Sequence, residues 1–230
     1  MSDEMMIIGV IGQKGGGGKT TTSLGLAVAA AEQGKAVAII DIDQQANSAK
    51  WRDRRKTDNV AVIGALQSRI KQTLDAARKH GADYVIIDSP GHNDTAAMET
   101  VRAADIVILP VEAQMFHLET LPAMRDLIRV AGDKPTWLFI NKLHPAASVQ
   151  AEKLKKILAE TYAMSVCPIH WSRLDVYATS ADVGLTPLEQ APDSKAAEEI
   201  RSLYNFTCQE INNLRNQHVK NARSTAGVEG

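Results

Sequence analysis

The chain has 230 residues, and its 26 Lys and Arg against 27 Asp and Glu leave a formal net charge of −1. This length suffices for the buried core of one large domain or two small ones. The content of 44% hydrophobic and 23% charged residues excludes a disordered chain. The near-neutral charge excludes a surface that is basic throughout, so any contact with nucleic acid has to come from local patches. Two cysteines without a Cys/His cluster exclude an iron–sulfur or structural zinc site and favour a reducing compartment.

Short runs rich in Val and Ile alternate with longer amphipathic stretches along the chain. Because the short runs are apolar throughout, they predict strands covered on both faces, which is typical of a parallel sheet. The predicted strands are 5–11, 36–42, 60–63, 84–88, 106–111, 137–141 and 165–169. The predicted helices lie near 18–33, 44–56, 67–80, 94–103, 117–131, 148–163 and 193–217. The alternation predicts one α/β domain over 1–218, with a doubly wound, mainly parallel sheet and helices on both faces, and a flexible tail over 219–230.

The sequence gives no sign of a membrane segment. Residues 1–6 carry acids where a signal peptide carries positive charge. The longest apolar runs, such as 24–31, are far shorter than the about 20 residues that a membrane span needs. We therefore expect a cytoplasmic protein without membrane contact.

A glycine-rich loop separates the first predicted strand from the first predicted helix. Its four consecutive glycines leave the backbone free to turn N–H groups onto phosphate oxygens, and the helix N-terminus adds further N–H groups. Lys19 is placed to reach the β- and γ-phosphates, and Thr20 to offer its hydroxyl to Mg²⁺. A flexible turn with a solvated lysine is the alternative, which the strand before and the helix after disfavour. The predicted phosphate-binding residues are Gly15, Gly16, Gly17, Gly18, Lys19, Thr20 and Thr21.

Residues 14–20 resemble the deviant Walker A motif, KGGxGKT, of the ParA/MinD family of P-loop ATPases. Two later segments support the likeness in the same order. Residues 41–45 (DIDQQ) are similar to the family's DxDPQ, with glutamine in place of proline, and residues 84–91 (YVIIDSPG) resemble its Walker B and switch II segment. The likeness covers nearly the whole chain. It is greatest to small plasmid-type ParA proteins without an N-terminal helix-turn-helix, because the first strand begins by residue 5.

The resemblance implies a role for each residue of these motifs. Asp41 and Asp88 would hold waters on Mg²⁺, and Asp43 would orient the water that attacks the γ-phosphate. Lys14 would cross a dimer interface to the partner's nucleotide, and the backbone N–H of Gly91 would sense the γ-phosphate. A helix N-cap at Asp41 and a turn-former at Asp88 are the alternatives. The implied catalytic residues are Lys14, Lys19 and Asp43, and the implied metal-binding residues are Thr20, Asp41 and Asp88.

The sixth predicted strand ends at Asn141. The amide of asparagine both donates and accepts, which suits the N6 and N7 edge of adenine. The resemblance implies that a polar residue at this place faces the base, so Asn141 is a candidate nucleotide-binding residue. An asparagine that ends a strand at a turn is an equally good explanation.

Local basic stretches are the candidates for contact with DNA. Residues 50–56 contain five bases and one acid, a pattern of either a solvated helix face or a phosphate-contacting patch. The resemblance places DNA contacts nearer the C-terminus, on Arg173 and Lys195, and an acid-free stretch with Arg215 and Lys220 would add to that surface. After Leu214 the chain has no apolar face of the kind with which MinD-like relatives bind membranes.

The motifs lead to one hypothesis and several alternatives. The hypothesis is a ParA-type ATPase that uses ATP and Mg²⁺, forms a homodimer with ATP and binds double-stranded DNA without sequence preference. It would segregate a plasmid or chromosome with a ParB-like or other centromere-binding protein, and so be associated with the nucleoid. The same ATPase could instead position a carboxysome, a chemoreceptor cluster or the division site. A metabolic P-loop enzyme, such as a dethiobiotin-synthetase-like ligase, would have no use for Lys14, and the cysteine count disfavours a nitrogenase-iron-protein type.

Overall fold

The computed structural model describes residues 5–112 and 118–226. Within them, seven strands form one sheet in the order β3-β2-β4-β1-β5-β6-β7, and every strand is parallel to its neighbours. The strands are β1 (Met6–Val10), β2 (Val37–Asp41), β3 (Ala61–Gly64), β4 (Tyr84–Asp88), β5 (Ile106–Glu112), β6 (Thr136–Leu143) and β7 (Ser165–Ser172). The sheet is parallel throughout these strands, as the apolar runs predict.

Helices connect the strands in the described part of the chain. They are α1 (Lys19–Glu32), α2 (Asn47–Arg54), α3 (Ile70–Lys79), α4 (Asp94–Ala103), α5 (Leu121–Val130), α6 (Ser148–Tyr162), α7 (Val176–Ala181), α8 (Pro187–Gln190) and α9 (Lys195–Ala226). A short 3-10 turn at Gln67–Arg69 leads into α3.

The sheet is buried between two layers of helices. The four central strands β2, β4, β1 and β5 are buried along their whole length, which accounts for their continuous apolar sequences. On one face, the apolar side chains of α3, α4, α5 and α6 form one core with the sheet. On the other face, α1, α2, α8 and α9 form a second core. This arrangement confirms the predicted doubly wound α/β fold.

Helix α1 is enclosed between the sheet and α9. A Cβ atom at Gly25 would lie 3.0 Å from Trp171 and 3.4 Å from Ile200, so glycine permits this close packing. The residues 22–30 of α1 are all buried. The helix that follows the glycine-rich loop is therefore fixed by the core on all sides, and it gives that loop a rigid base.

The glycine-rich loop leaves the sheet at its topological switch point. β1 lies between β4 and β5, so the connections run to opposite sides of it. Open parallel sheets bind ligands at the carboxyl ends of the strands at such a point. There, Asp41 and Asp88 are register partners on adjacent strands, and Val10 faces Asp88 from β1.

The structure contains two short helices, α7 and α8, between 172 and 194, where the sequence analysis predicts no element. The local signal for α8 is a capping box in which Thr186 and Glu189 hydrogen-bond to each other's backbone, with Pro187 in the first turn. A helix of four residues is too short to produce a periodic pattern.

Helix α9 packs on the sheet through buried residues, among them Ile200, Leu203 and Ile211. Its backbone continues to Ala226, beyond the predicted end near 217. The division of the chain at residue 218 stays a prediction. None of the helices among the described residues combines the length and apolar character that crossing a membrane requires.

Candidate functional site

The glycine-rich loop turns sharply between β1 and α1. Gly16 and Gly18 have left-handed backbones with φ of 83° and 91°, which favour glycine. A Cβ atom at Gly18 would lie 1.9 Å from the amide nitrogen of Asn141. At this position, then, both conformation and space require glycine, whereas nothing lies within 4 Å of a Cβ atom at Gly16.

Lys19 occupies the interior of the loop. The residue is 7% exposed, and its Nζ donates to the backbone carbonyl of Lys14 at 3.1 Å. Burial lowers the pKa of Lys19, and the carboxylates of Asp88 and Asp43 oppose that shift. The ammonium is thus surrounded by the loop and faced by carboxylates, a position from which it can receive an anion.

Asp88 is a fully buried carboxylate at the end of β4. Its two oxygens accept hydrogen bonds from the hydroxyls of Ser23, at 3.2 Å, and Ser48, at 2.8 Å, and the Thr20 hydroxyl also reaches it. Burial raises the pKa of Asp88 to about 6; the Ser48 hydrogen bond opposes the shift, and neighbouring Asp41 adds to it. A cation placed here would favour the ionised form.

Asp41 organises the segment that follows β2. Its carboxylate accepts backbone N–H groups of Asp43 at 3.1 Å, Ser48 at 3.0 Å and Ala49 at 3.1 Å. Burial raises the pKa of Asp41, and these three hydrogen bonds oppose the shift. Asp41 therefore fixes both the turn at Asp43 and the start of α2.

Asp43 lies on the wall of the cleft. One oxygen of its half-buried carboxylate accepts the backbone N–H of Gln45 at 2.9 Å. This hydrogen bond within the turn orients the side chain. The group is close enough to Lys19 to act on its charge.

Gly91 lies against the glycine-rich loop. A Cβ atom there would come within 3.0 Å of the Gly15 backbone nitrogen and 3.1 Å of the Lys14 backbone. The next residue, His92, donates its N–H to the Gln13 carbonyl at 2.8 Å. The segment after β4 and the loop after β1 are in direct backbone contact, so movement of one displaces the other.

Asn141 and Lys142 contact the loop from the end of β6. The Asn141 amide donates to the Gly17 carbonyl at 3.0 Å, and the Lys142 ammonium donates to the Gly16 carbonyl. Asn141 thus supports the phosphate loop, and its predicted contact with adenine stays a prediction. No sequence motif assigns a role to Lys142; its place directly after Asn141 puts it near the site but does not predict its contact with Gly16.

An open cleft of about 970 Å³ lies above these groups. Its walls come from the segments 15–21, 42–47, 66–68 and 90–93, together with Lys142. The size is that of sites for small molecules and cofactors. Lys14, which is half-buried, directly precedes Gly15, the first residue of the loop that lines the cleft.

The residues predicted to contact DNA are spread over the surface. Arg173 pairs with Glu112 at 3.4 Å, and Lys195 pairs with Glu199 at 3.7 Å, both near the end of β7. Arg215 lies on α9, 20 residues beyond Lys195 and so about 30 Å further along the helix. The side chain of Lys220 lies outside the described part of the structure.

The basic stretch 50–56 does not form one surface. Arg55 has a side chain that is 1% exposed, forms an ion pair with Glu189 and covers the Trp51 ring at 4.6 Å. Trp51 itself is buried. The remaining bases are exposed: Lys50, Arg52, Arg54 and Lys56.

Residues 8–213 match the family of CobQ/CobB/MinD/ParA nucleotide binding domains. Sporulation initiation inhibitor protein Soj of Bacillus subtilis is 29% identical over 165 residues, which cover 54% of this chain and 65% of the relative. Maintenance of carboxysome distribution protein A of Gloeobacter kilaueensis is 33% identical over 119 residues, which cover 50% and 53%. The chain therefore spans about two thirds or less of the length of these relatives.

A solved structure has the same fold. The septum site-determining protein MinD from Pyrococcus horikoshii, complexed with Mg-ADP, superimposes with a TM-score of 0.68 at 18% identity. The match covers 87% of this chain and 94% of that one.

Proposed function

Because the chain belongs to the CobQ/CobB/MinD/ParA family of nucleotide-binding domains, we propose that it is a ParA-type ATPase that hydrolyses ATP to ADP and phosphate. The observation that supports this most is Lys19, a buried ammonium held inside the glycine loop and facing Asp88 and Asp43. Further negative charge beside a buried ammonium lowers the cost of its burial. The triphosphate of ATP would supply it.

The donor groups beside Lys19 fit Mg²⁺. The carboxylates of Asp41 and Asp88 end adjacent strands, the Thr20 hydroxyl reaches Asp88 from α1, and all three groups are hard oxygen ligands. Thr20 would hold the ion directly, and the two carboxylates would hold it through water. When bound, Mg²⁺ neutralises charge on the phosphates.

The remaining roles fall to side chains that the fold already orients. Asp43, fixed by the Gln45 N–H, would orient the attacking water. The N–H groups of Gly15 to Gly18 and of Thr20 and Thr21 would bind phosphate oxygens. Gly91, packed against the loop, would move when the γ-phosphate leaves and so report hydrolysis.

We further propose the ATP-dependent behaviour that the resemblance implies. Lys14 would reach the nucleotide of a second copy, so that ATP links a homodimer. The dimer would bind double-stranded DNA without sequence preference through Arg173, Lys195 and Arg215 with Lys220, and a ParB-like protein would trigger hydrolysis. Pairing two copies doubles the local basic charge, which suits a monomer of nearly neutral charge.

ATP turnover is the first test. The wild-type chain is expected to release phosphate from ATP in the presence of Mg²⁺, and Asp43→Ala to lower kcat at least about 100-fold because the water loses its orienting carboxylate. Asp53→Ala, which removes an exposed acid of α2, is the matched control and keeps wild-type turnover. Full activity of Asp43→Ala contradicts the proposed role.

DNA binding is measured in parallel with ATP or ADP across a salt series. Binding to random duplex DNA only with ATP, and weaker as salt rises, supports the partition function. ATP turnover without DNA binding at low salt contradicts it.

A second candidate function keeps the ATPase and changes the cargo. The similarity to a carboxysome distribution protein, 33% identical over 119 residues, favours a positioning ATPase. The partner that stimulates hydrolysis separates the two functions: a centromere-binding protein indicates partition, and a protein of the cargo's surface indicates positioning.

A further inference from the structure

We propose that Lys142 is a positioning residue for nucleotide binding, which acts with Glu112 to hold the phosphate loop in its anion-binding shape. The inference rests on the proposed function only in taking ATP as the ligand of the cleft. It concerns a side chain to which the sequence motifs assign no role.

The first observation is an ion pair that bridges two strands and the loop. Glu112, at the end of β5, is 7% exposed, and its carboxylate accepts the Lys142 ammonium at 2.7 Å. The same ammonium donates to the carbonyl of Gly16. Glu112 also approaches Arg173 at 3.4 Å, so the carboxylate is balanced by positive charge from two sides. The pair thus connects the loop to β5 and β6 through charged hydrogen bonds, the stronger kind in proteins.

The second observation is that two successive carbonyls of the loop are held from one side. Asn141 binds the Gly17 carbonyl at 3.0 Å, and Lys142 binds the Gly16 carbonyl. In a planar trans peptide, the carbonyl and the following N–H point in opposite directions. Fixing these carbonyls toward β6 therefore turns the N–H groups of Gly17 and Gly18 away from β6, where they are available to phosphate.

The third observation is the backbone of Lys142. Its φ of 54° is rare for a residue other than glycine, and its N–H donates to the Asn141 side chain at 2.8 Å. Successive side chains of a regular strand point to opposite faces. The left-handed turn at Lys142 breaks that alternation, so both side chains reach the same loop.

The opposing explanation is that Lys142 contacts the base of the nucleotide, because it also lines the cleft. A ligand without a base distinguishes the two. If Lys142 acts through the loop, its loss weakens the binding of inorganic triphosphate and of ATP by the same factor. If it acts on the base, only ATP is weakened.

The test uses the full chain with Mg²⁺ and competition against a fluorescent ATP analogue. Lys142→Met keeps the length of the side chain and removes its charge, and it is expected to weaken ATP and triphosphate about tenfold each. Lys142→Arg is expected to lose less affinity than Lys142→Met because it keeps the positive charge. Glu112→Gln is expected to weaken the binding of both ligands, but by less than Lys142→Met.

Lys155→Met is the matched control. The Lys155 ammonium also bridges a glutamate, Glu152 at 2.7 Å, and a backbone carbonyl, that of Pro168, but it lies on α6 away from the cleft. Its loss is expected to leave both affinities within about twofold of wild type. Thermal unfolding of all variants measures any change in stability separately.

Hydrogen exchange of the loop amides in nucleotide-free protein gives a second readout. Exchange over 15–18 is expected to be faster in Lys142→Met than in wild type and Lys155→Met, because the loop has lost a tether. Unchanged exchange, or loss of ATP affinity without loss of triphosphate affinity, overturns the inference. A wild-type chain that binds neither ligand instead contradicts the proposed function, and the exchange result still tests the tether.

Discussion

The phosphate-loop cleft and the candidate DNA contacts both contain charged side chains, but these are buried at the first and exposed at the second. In the cleft, Lys19 is 7% exposed and Asp88 is fully buried, and Asp88 has hydroxyl partners on two helices and Asp41 beside it. At the candidate DNA contacts, the side chains of Arg173 and Lys195 are 59% and 50% exposed. The first set is held in place, and the second extends into solvent.

The difference follows from the cost of burying charge. A buried charge needs partners in good geometry, so those partners fix the position of the charged group. An exposed base contributes little to stability whether it is paired or not, so its position is weak evidence for a function. The stretch 50–56 combines both cases, because Arg55 is buried against Trp51 and Glu189 whereas Arg54 is exposed.

The largest expected effect is on stability, from Arg55→Ala. Its guanidinium donates to Glu189 and to the Gly184 carbonyl at 3.0 Å, and so joins the end of α2 to α8. Truncation leaves Glu189 without its charged partner, and we expect the free energy of unfolding to fall by about 3 kcal/mol. Chemical denaturation measures it.

Arg54→Ala is the control for Arg55→Ala, since it removes a neighbouring exposed arginine. The free energy of unfolding is expected to stay within about 0.5 kcal/mol of wild type. Equal losses in the two variants would show that the contrast between buried and exposed charge is wrong for this helix.

A smaller effect on stability, with a clear effect on the site, is expected from Gly18→Ala. The new methyl group meets Asn141, and the backbone at φ 91° disfavours alanine. We expect a loss of about 2 kcal/mol in the free energy of unfolding and at least about tenfold weaker ATP binding, measured by denaturation and titration.

Gly16→Ala separates the effect of the left-handed backbone from that of the contact with Asn141. Its φ is 83°, but its Cβ atom would have nothing within 4 Å. This variant is expected to lose about 1 kcal/mol and to keep more of its ATP affinity. If Gly16→Ala is as damaging as Gly18→Ala, the contact with Asn141 is not what requires glycine at position 18.

The smallest effect is expected from Lys195→Ala, on the exposed side of the comparison. Its pair with Glu199 contributes at most about 1 kcal/mol, so the free energy of unfolding is expected to fall by no more than that. DNA affinity with ATP is expected to fall less than tenfold, and the slope of affinity against salt to fall by about 1. Lys156→Ala, which removes a similar exposed lysine paired with Glu160 on α6, leaves both unchanged. Identical salt slopes for the two variants contradict a DNA contact at Lys195.

Features carried by neighbouring residues could be predicted from the sequence. The apolar runs that form the strands, the glycine loop with Lys19 and Thr20, and the acids that end β2 and β4 are all local patterns. Parallel strands bring their carboxyl ends to one edge, so the meeting of Asp41 with Asp88 follows from the fold class. These predictions are possible because each rests on a backbone conformation that its own residues dictate.

Features that join distant segments were decided by the tertiary structure alone. Arg55 meets Glu189, 134 residues away, and Lys142 meets Gly16, 126 residues away. Neither pair leaves a periodic or motif signal in its own segment, because which base meets which distant group depends on how helices and strand ends pack. The sequence by itself thus determined the α/β fold and the phosphate loop, and only the tertiary structure decided which charges hold that loop and which face solvent.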